Sequence, residues 1–176
     1  MYLEKWCQRG KSHREGGPAY VESIPNKYGH DIIQRRREEW LIDGLLHRND
    51  GPAITVTDSD GIAVLEAWFQ NGLLHREDGP SQIERDMQTE RVVTELWHSR
   101  GQLHRENGPA VINTDWETGH VIREQYFIRG KLHREQEGFA DITYDRISGV
   151  WTKRSKFSFG HEIASWVNAA APHPSA

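Results

Sequence analysis

The chain is poor in the features that usually announce chemistry. It has one cysteine, Cys7, in 176 residues. That excludes an internal disulfide framework and a cysteine-rich zinc site and suits a reducing compartment, so a cytoplasmic location is expected. It has no marked excess of either charge: 22 Lys and Arg stand against 26 Asp and Glu, a net charge of -4. Nothing in that balance drives non-specific binding to nucleic acid, and no acidic block mimics one. No apolar run approaches the roughly 18 residues that span a bilayer, and the start, MYLEKWCQRG, lacks the apolar segment of a secretory signal. Neither membrane insertion nor secretion by that route is expected. There is no Walker loop, no dinucleotide fingerprint and no serine in a strained elbow, and Cys7 has His13 only on the other face of its own hairpin. No nucleophile, base and orienter can be assembled, so neither an enzyme nor a cofactor is expected.

What the chain has in abundance is one phrase. GKSHREGGP (10–18), GLLHRNDGP (44–52), GLLHREDGP (72–80), GQLHRENGP (101–109) and GKLHREQEGF (130–139) share Gly-x-x-His-Arg, and each follows Glu-x-aromatic-x-x-x-Gly. The aromatics are Trp6, Trp40, Trp68, Trp97 and Tyr126, at spacings of 34, 28, 29 and 29 residues. A fixed period near 29 is the signature of a repeat array. With only 36% apolar residues and 16 glycines, a thin or elongated single domain fits better than a thick two-sided core.

Local chemistry predicts how one unit folds. In WFQNGLLH, Asn71-Gly72 is a favoured two-residue hairpin turn. If Gln70 lies opposite Leu73, then Phe69 faces Leu74 and Trp68 faces His75. The same register pairs Trp6 with His13, Trp40 with His47, Trp97 with His104 and Tyr126 with His133. Two residues before each aromatic, on the same face of the strand, stands Glu4, Glu38, Glu66, Glu95 or Glu124. A repeated cluster of aromatic, His and Glu is therefore expected. The other face carries Leu46, Leu74, Leu103 and Leu132 against Leu41, Phe69, His98 and Phe127, an apolar stripe that Ser12 and Cys7 break in the first copy. Gly-Pro then turns the chain into a new strand, and a second hairpin, such as WETGH with Gly119, returns it to the next aromatic.

Five such units give an antiparallel meander of about ten strands over residues 1–150. The period breaks at SIPNKYGHD (23–31), a longer loop, and at KFSFGHE (156–162), a decayed sixth start. Ile163, Trp166 and Val167 stand at helical spacing, so 151–170 is expected to be a C-terminal cap ending in a short helix. APHPSA (171–176) reads as a disordered tail.

The pattern Trp-x-x-x-Gly-x-Leu-His-Arg-x-x-Gly-Pro-Ala, over residues 4 to about 142, resembles an uncharacterised repeat of phage, large-DNA-virus and bacterial proteins. More loosely it is similar to the MORN-type β-hairpin repeats, although the usual Tyr-x-Gly rhythm of MORN units is absent. The first resemblance implies no activity; the second implies an interaction or scaffolding module.

The repeated polar residues admit a chemical and an architectural reading. Equivalent histidines two strands apart lie roughly 9 to 10 Å from each other, whereas two imidazoles sharing a zinc each place a nitrogen at about 2 Å. A metal ladder is thereby excluded. Arg14, Arg48, Arg76, Arg105 and Arg134 form a ladder that can grip phosphates, or pair with acids such as Glu15, Glu77, Glu106 and Glu135 and cover the sheet with their stems. A feature present in every unit usually serves the packing of units. The expected function is accordingly non-catalytic binding of another protein. Residues that vary between copies, Tyr20, Ile54, Gln82, Val111 and Asp141, are assigned to the partner face. The resemblance to phage repeats makes that partner a host enzyme or defence complex. The alternative is a nucleotide or nucleic-acid binder that uses the Arg and His ladder.

Overall fold

A computed structural model of the protein describes residues 3–24, 35–134 and 138–170. The expected loop at 23–31, the tail at 171–176 and Glu135 lie wholly or largely outside them. The described chain is all β, with no helix. Twelve strands form one open antiparallel sheet in strict sequence order. They are β1 (Leu3–Lys5), β2 (Tyr20–Ile24), β3 (Arg35–Glu39), β4 (Ile54–Thr57), β5 (Ala63–Ala67) and β6 (Gln82–Arg85). The second half adds β7 (Val92–Leu96), β8 (Val111–Thr114), β9 (Val121–Gln125), β10 (Asp141–Tyr144), β11 (Trp151–Ser158) and β12 (His161–Val167). Runs such as Ile54-Thr-Val-Thr57 and Val92-Val-Thr94 supply the β-branched side chains that suit a pleated surface.

Two devices keep the inner strands to four or five residues. At one end an aspartate closes each described loop. Asp86, Asp115 and Asp145 accept hydrogen bonds from the backbone N–H and the hydroxyl of Thr89, Thr118 and Ser148 at 2.7–2.8 Å. The residue after that Thr or Ser, which is Glu90, Gly119 or Gly149, takes a positive φ of 58, 77 or 68° and donates its N–H back to the aspartate carbonyl. At the other end the strand stops one residue before the aromatic, and the chain swings into a short hairpin. The observed register there is the one read from Asn71-Gly72: Phe69 lies opposite Leu74 and Gln70 opposite Leu73. His75 N–H then bonds Trp68 C=O at 3.0 Å. Arg9, Asp43, Asn71, Arg100 and Arg129 occupy the first turn position at φ 50°, a left-handed conformation that Asn and Asp adopt more readily than Arg.

The short hairpins stack on one another beside the main sheet. Gly44, Gly72, Gly101 and Gly130 each donate an N–H at 2.8–2.9 Å to a carbonyl of the preceding hairpin, on Ser12, Leu46, Leu74 and Leu103. Their apolar stripe folds onto the sheet: Leu46, Phe69 and Leu74 pack with Leu65 and Met87 against Ile54, Val56, Val64 and Ala67, a buried core cluster. The core is thus a thin seam between hairpins and sheet, as the low apolar content requires.

Residues 151–170 hold no helix. They form β11 and β12, which pair with each other and bring the strand number to twelve. The Phe159-Gly160 turn (φ 46 and 94°) closes this hairpin, and Gly160 N–H bonds Leu132 C=O at 2.8 Å as in the earlier copies. Helical spacing of Ile163, Trp166 and Val167 loses to two tertiary demands. The open edge of β11 needs backbone partners, and Trp166 meets Phe139 edge-on at 5.1 Å. This hairpin lacks the Arg and Gly-Pro elements that kink the others, so its strands run for eight and seven residues, broken only by a bulge at Ile163.

Candidate interaction surface

Each repeated arginine is clasped within its own unit. The guanidinium carbons of Arg14, Arg48, Arg76, Arg105 and Arg134 lie 4.0, 3.9, 3.9, 3.7 and 4.0 Å from the ring centroids of Trp6, Trp40, Trp68, Trp97 and Tyr126. The glycine before each proline closes the other side. A methyl group built on Gly17, Gly51, Gly79 or Gly108 would come within 2.8, 2.9, 2.8 or 3.0 Å of the guanidinium. Gly138 approaches Arg134 in the same way. Gly79 has no unusual φ, so close approach rather than backbone freedom explains it. The first four arginines also donate to the carbonyls of Pro18, Pro52, Pro80 and Pro109 at 3.1–3.4 Å, and Arg134 donates to Phe139. Arg, Gly, Pro and the aromatic form one structural device.

The histidines join one unit to the next. Nδ1 of His13, His47, His75 and His104 accepts the backbone N–H of Asp43, Asn71, Arg100 and Arg129 at 3.1, 3.2, 3.4 and 3.4 Å, the first turn residue of the following hairpin. His133 differs: it stacks on Phe159 at 4.2 Å and 12°, and its buried Nδ1 has no partner. After each Pro, Ala19, Ala53, Ser81 and Ala110 are fully buried, as is Ala140 after Phe139. They accept the N–H of Trp6, Trp40, Trp68, Trp97 and Tyr126 at 2.8 Å.

The expected cluster of aromatic, His and Glu does not assemble. Among the described residues no hydrogen bond joins a repeated Glu to a repeated His. Glu66 pairs with Arg85 at 2.7 Å, Glu38 with Arg36 at 2.7 Å, and Glu124 accepts the Tyr144 hydroxyl at 2.7 Å. Burial, reinforced by that carboxylate, holds the Tyr144 phenol far above its ordinary range. Register explains the separation: Glu4, Val21, Glu38, Thr55, Glu66, Ile83, Glu95, Ile112, Glu124 and Ile142 form one row across the main sheet. The histidines belong to the hairpin stack.

The residues assigned to the partner face also share a row, but not a free one. Tyr20, Ile54, Gln82, Val111 and Asp141 alternate across the sheet with Glu39, Ala67, Leu96 and Gln125. Ile54 and Val111 are buried, each 8% exposed, and Ile54 belongs to the core seam beneath the hairpin stripe. The polar members are engaged within the sheet: Tyr20 with Glu22 at 3.0 Å, Gln82 with Glu84 at 2.8 Å, and Asp141 with both ends of the Arg123 fork.

Variation that reaches solvent lies on the hairpin tips. The residue after each turn glycine is Lys11, Leu45, Leu73, Gln102 or Lys131, and all are exposed. Leu45 and Leu73 are half exposed, at 51% and 50%. Leu45 leans on Gly72, and Leu73 on Gly101, so the tips form one continuous rim. A groove of about 1080 Å³ opens near the C-terminal end of this rim, lined in part by His104, Arg105, Arg129, Lys131, His133 and Arg134. The sequence signal for the rim was available, because a residue beside a tight turn at a sheet's end is solvent-facing whatever its type.

Among the described residues no three of His, Cys, Asp and Glu come together to hold a metal, and no helix is long and apolar enough to cross a membrane. No family model, curated protein or solved structure matches the chain.

Proposed function

We propose that the protein is a non-catalytic repeat module, five units of about 29 residues and a terminal hairpin, that binds another protein through its rim of hairpin tips. The supporting observation is a division of labour. Residues common to every copy are spent on the clasp and on unit-to-unit bonds, whereas the exposed tips vary: Arg9 and Lys11, Asp43 and Leu45, Asn71 and Leu73, Arg100 and Gln102, Arg129 and Lys131. Apolar centre and charged flanks are the composition of a protein interface, where an apolar core sits within a polar surround. The resemblance to phage repeats adds the finer reading: the partner is a host enzyme or defence complex, met in the cytoplasm, where Cys7 stays reduced.

A second reading, binding of a nucleotide or nucleic acid, has less of the Arg ladder to draw on, because each guanidinium is stacked on its ring and packed against a glycine. What favours it is the groove, which Arg105 and Arg134 of the ladder line together with Arg129 and Lys131. The two readings separate in one experiment. The wild-type protein and a Leu45→Asp/Leu73→Asp variant are used as baits in bacterial lysate, with and without nuclease. The protein-binding reading expects one stoichiometric partner that survives nuclease and is lost with the variant. Recovery of nucleotide or nucleic acid alone, unchanged in the variant and lost with Arg129→Ala/Lys131→Ala, would replace it.

A further inference from the structure

We propose that β12 is a dimerisation strand, pairing antiparallel with β12 of a second copy about a two-fold axis at Ser165. Open sheets expose two edges, and proteins usually blunt them with short strands, charge or proline because an unpaired edge recruits other strands. One edge is blunted among the described residues: β1 spans three of them, of which Glu4 and Lys5 are charged. The other is not. β12 has seven residues, HEIASWV, six of them exposed, with no charge after Glu162 and no proline. Ile163, Trp166 and Val167 are 65%, 41% and 76% exposed.

The backbone selects the pairing. Asn168 N–H bonds Thr152 C=O at 2.8 Å, and bonding alternates along an antiparallel strand. Trp166 and Ala164 therefore bond inward to β11, while Ser165 and Val167 turn their N–H and C=O outward. Pairing centred on Ser165 sets Val167 of each copy against Ile163 of the other, the extra residue at the bulge between Ala164 and Glu162, so the two most exposed apolar side chains of the strand meet twice. The same register sets Trp166 across from Ala164, repeating the apposition of aromatic and small residue that Trp40 and Ala53 make inside the array. Such self-matching is what an isologous interface requires. Head-to-tail pairing with the three-residue β1 would leave more than half of β12 uncovered.

The test is the mass of the full chain in solution by sedimentation over a concentration series. A discrete dimer is expected, converted to monomer by Ile163→Lys/Val167→Lys with an unchanged circular dichroism spectrum, and unaffected by Leu3→Lys. In a Cys7→Ser background, Ser165→Cys is expected to form a disulfide-linked dimer under mild oxidation. A monomer throughout the series, a dimer indifferent to the lysines, or open-ended oligomers broken by Leu3→Lys would overturn the proposal. Should the double lysine variant unfold, failure of folded Ser165→Cys to cross-link overturns it.

Discussion

Ser81 Oγ and His98 Nδ1 lie 2.8 Å apart: Ser81 is the one departure from a position held by Ala19, Ala53, Ala110 and Ala140, and His98 is the one imidazole where the other copies have Cys7, Leu41, Phe69 and Phe127. Ser81 Oγ also accepts the His98 backbone N–H at 3.0 Å. Two polar exceptions in neighbouring units therefore satisfy each other in a site that is otherwise apolar.

Removing one of the pair strands the other. Ser81→Ala leaves a half-buried imidazole without its partner and is expected to cost about 1–2 kcal/mol in urea denaturation, whereas Ser81→Ala/His98→Leu, which restores the pattern of the other copies, returns close to wild type. Burial also depresses the His98 pKa below its ordinary 6.5. The unfolded chain then takes up the proton first as pH falls, so stability present above pH 6.5 is lost as pH drops through the depressed folded value. The double variant should lack this component.

Loss of a histidine staple acts on the next hairpin. In His47→Leu the Asn71 N–H loses its acceptor, and hydrogen exchange at Asn71 should accelerate. The exchange of residues 100–103, one hairpin farther along and out of reach of His47, should stay as in wild type, because repeat contacts are between nearest neighbours.

Acid should attack the aspartate loops. Hydrogen bonds from Thr89, Thr118 and Ser148 hold the carboxyls of Asp86, Asp115 and Asp145 below their ordinary 3.8. Their contribution is complete above pH 3.8 and disappears as pH falls through the lower folded values. Thermal midpoints measured from pH 5 downward should fall less steeply for Asp115→Asn, which starts from a lower midpoint at neutral pH.

Rim substitutions should separate binding from folding. Leu45→Asp and Leu73→Asp alter side chains that are half exposed, so each should change stability by no more than about 0.5 kcal/mol. Their combination should abolish capture of the partner. Equal loss of stability and binding would mean that the tips are scaffold.

The repeat, its hairpin register and its all-β character were legible because they rest on local rules: an Asn-Gly turn dictates which residues oppose, and period-two alternation dictates which share a face. What the sequence could not show was depth. Ile54 and Val111 vary between copies, as recognition residues do, yet both are buried, and Ile54 lies under the hairpin stripe. The spacing of Ile163, Trp166 and Val167 is compatible with a helix, and only the presence of an unpaired β11 beside it decides for a strand. The Arg-aromatic clasp was hidden for a similar reason. Trp68 lies opposite His75 in the register, but the kink after Trp68 sends the ring to Arg76, and Gly79 reveals its role only when its distance to the guanidinium is known.

The central claim is that the repeated arginine is a structural part, held between ring and glycine. A double-mutant cycle on Arg76 and Gly79, read by urea denaturation, tests it most directly. Arg76→Ala should cost about 1–3 kcal/mol for the lost stacking and hydrogen bond. Gly79→Ala should cost a similar amount by displacing the guanidinium 2.8 Å from its new methyl group, and adding it to Arg76→Ala should cost almost nothing more. Additive losses, or an Arg76→Ala protein as stable as wild type, would contradict the clasp and return the arginine ladder to the role of a ligand site.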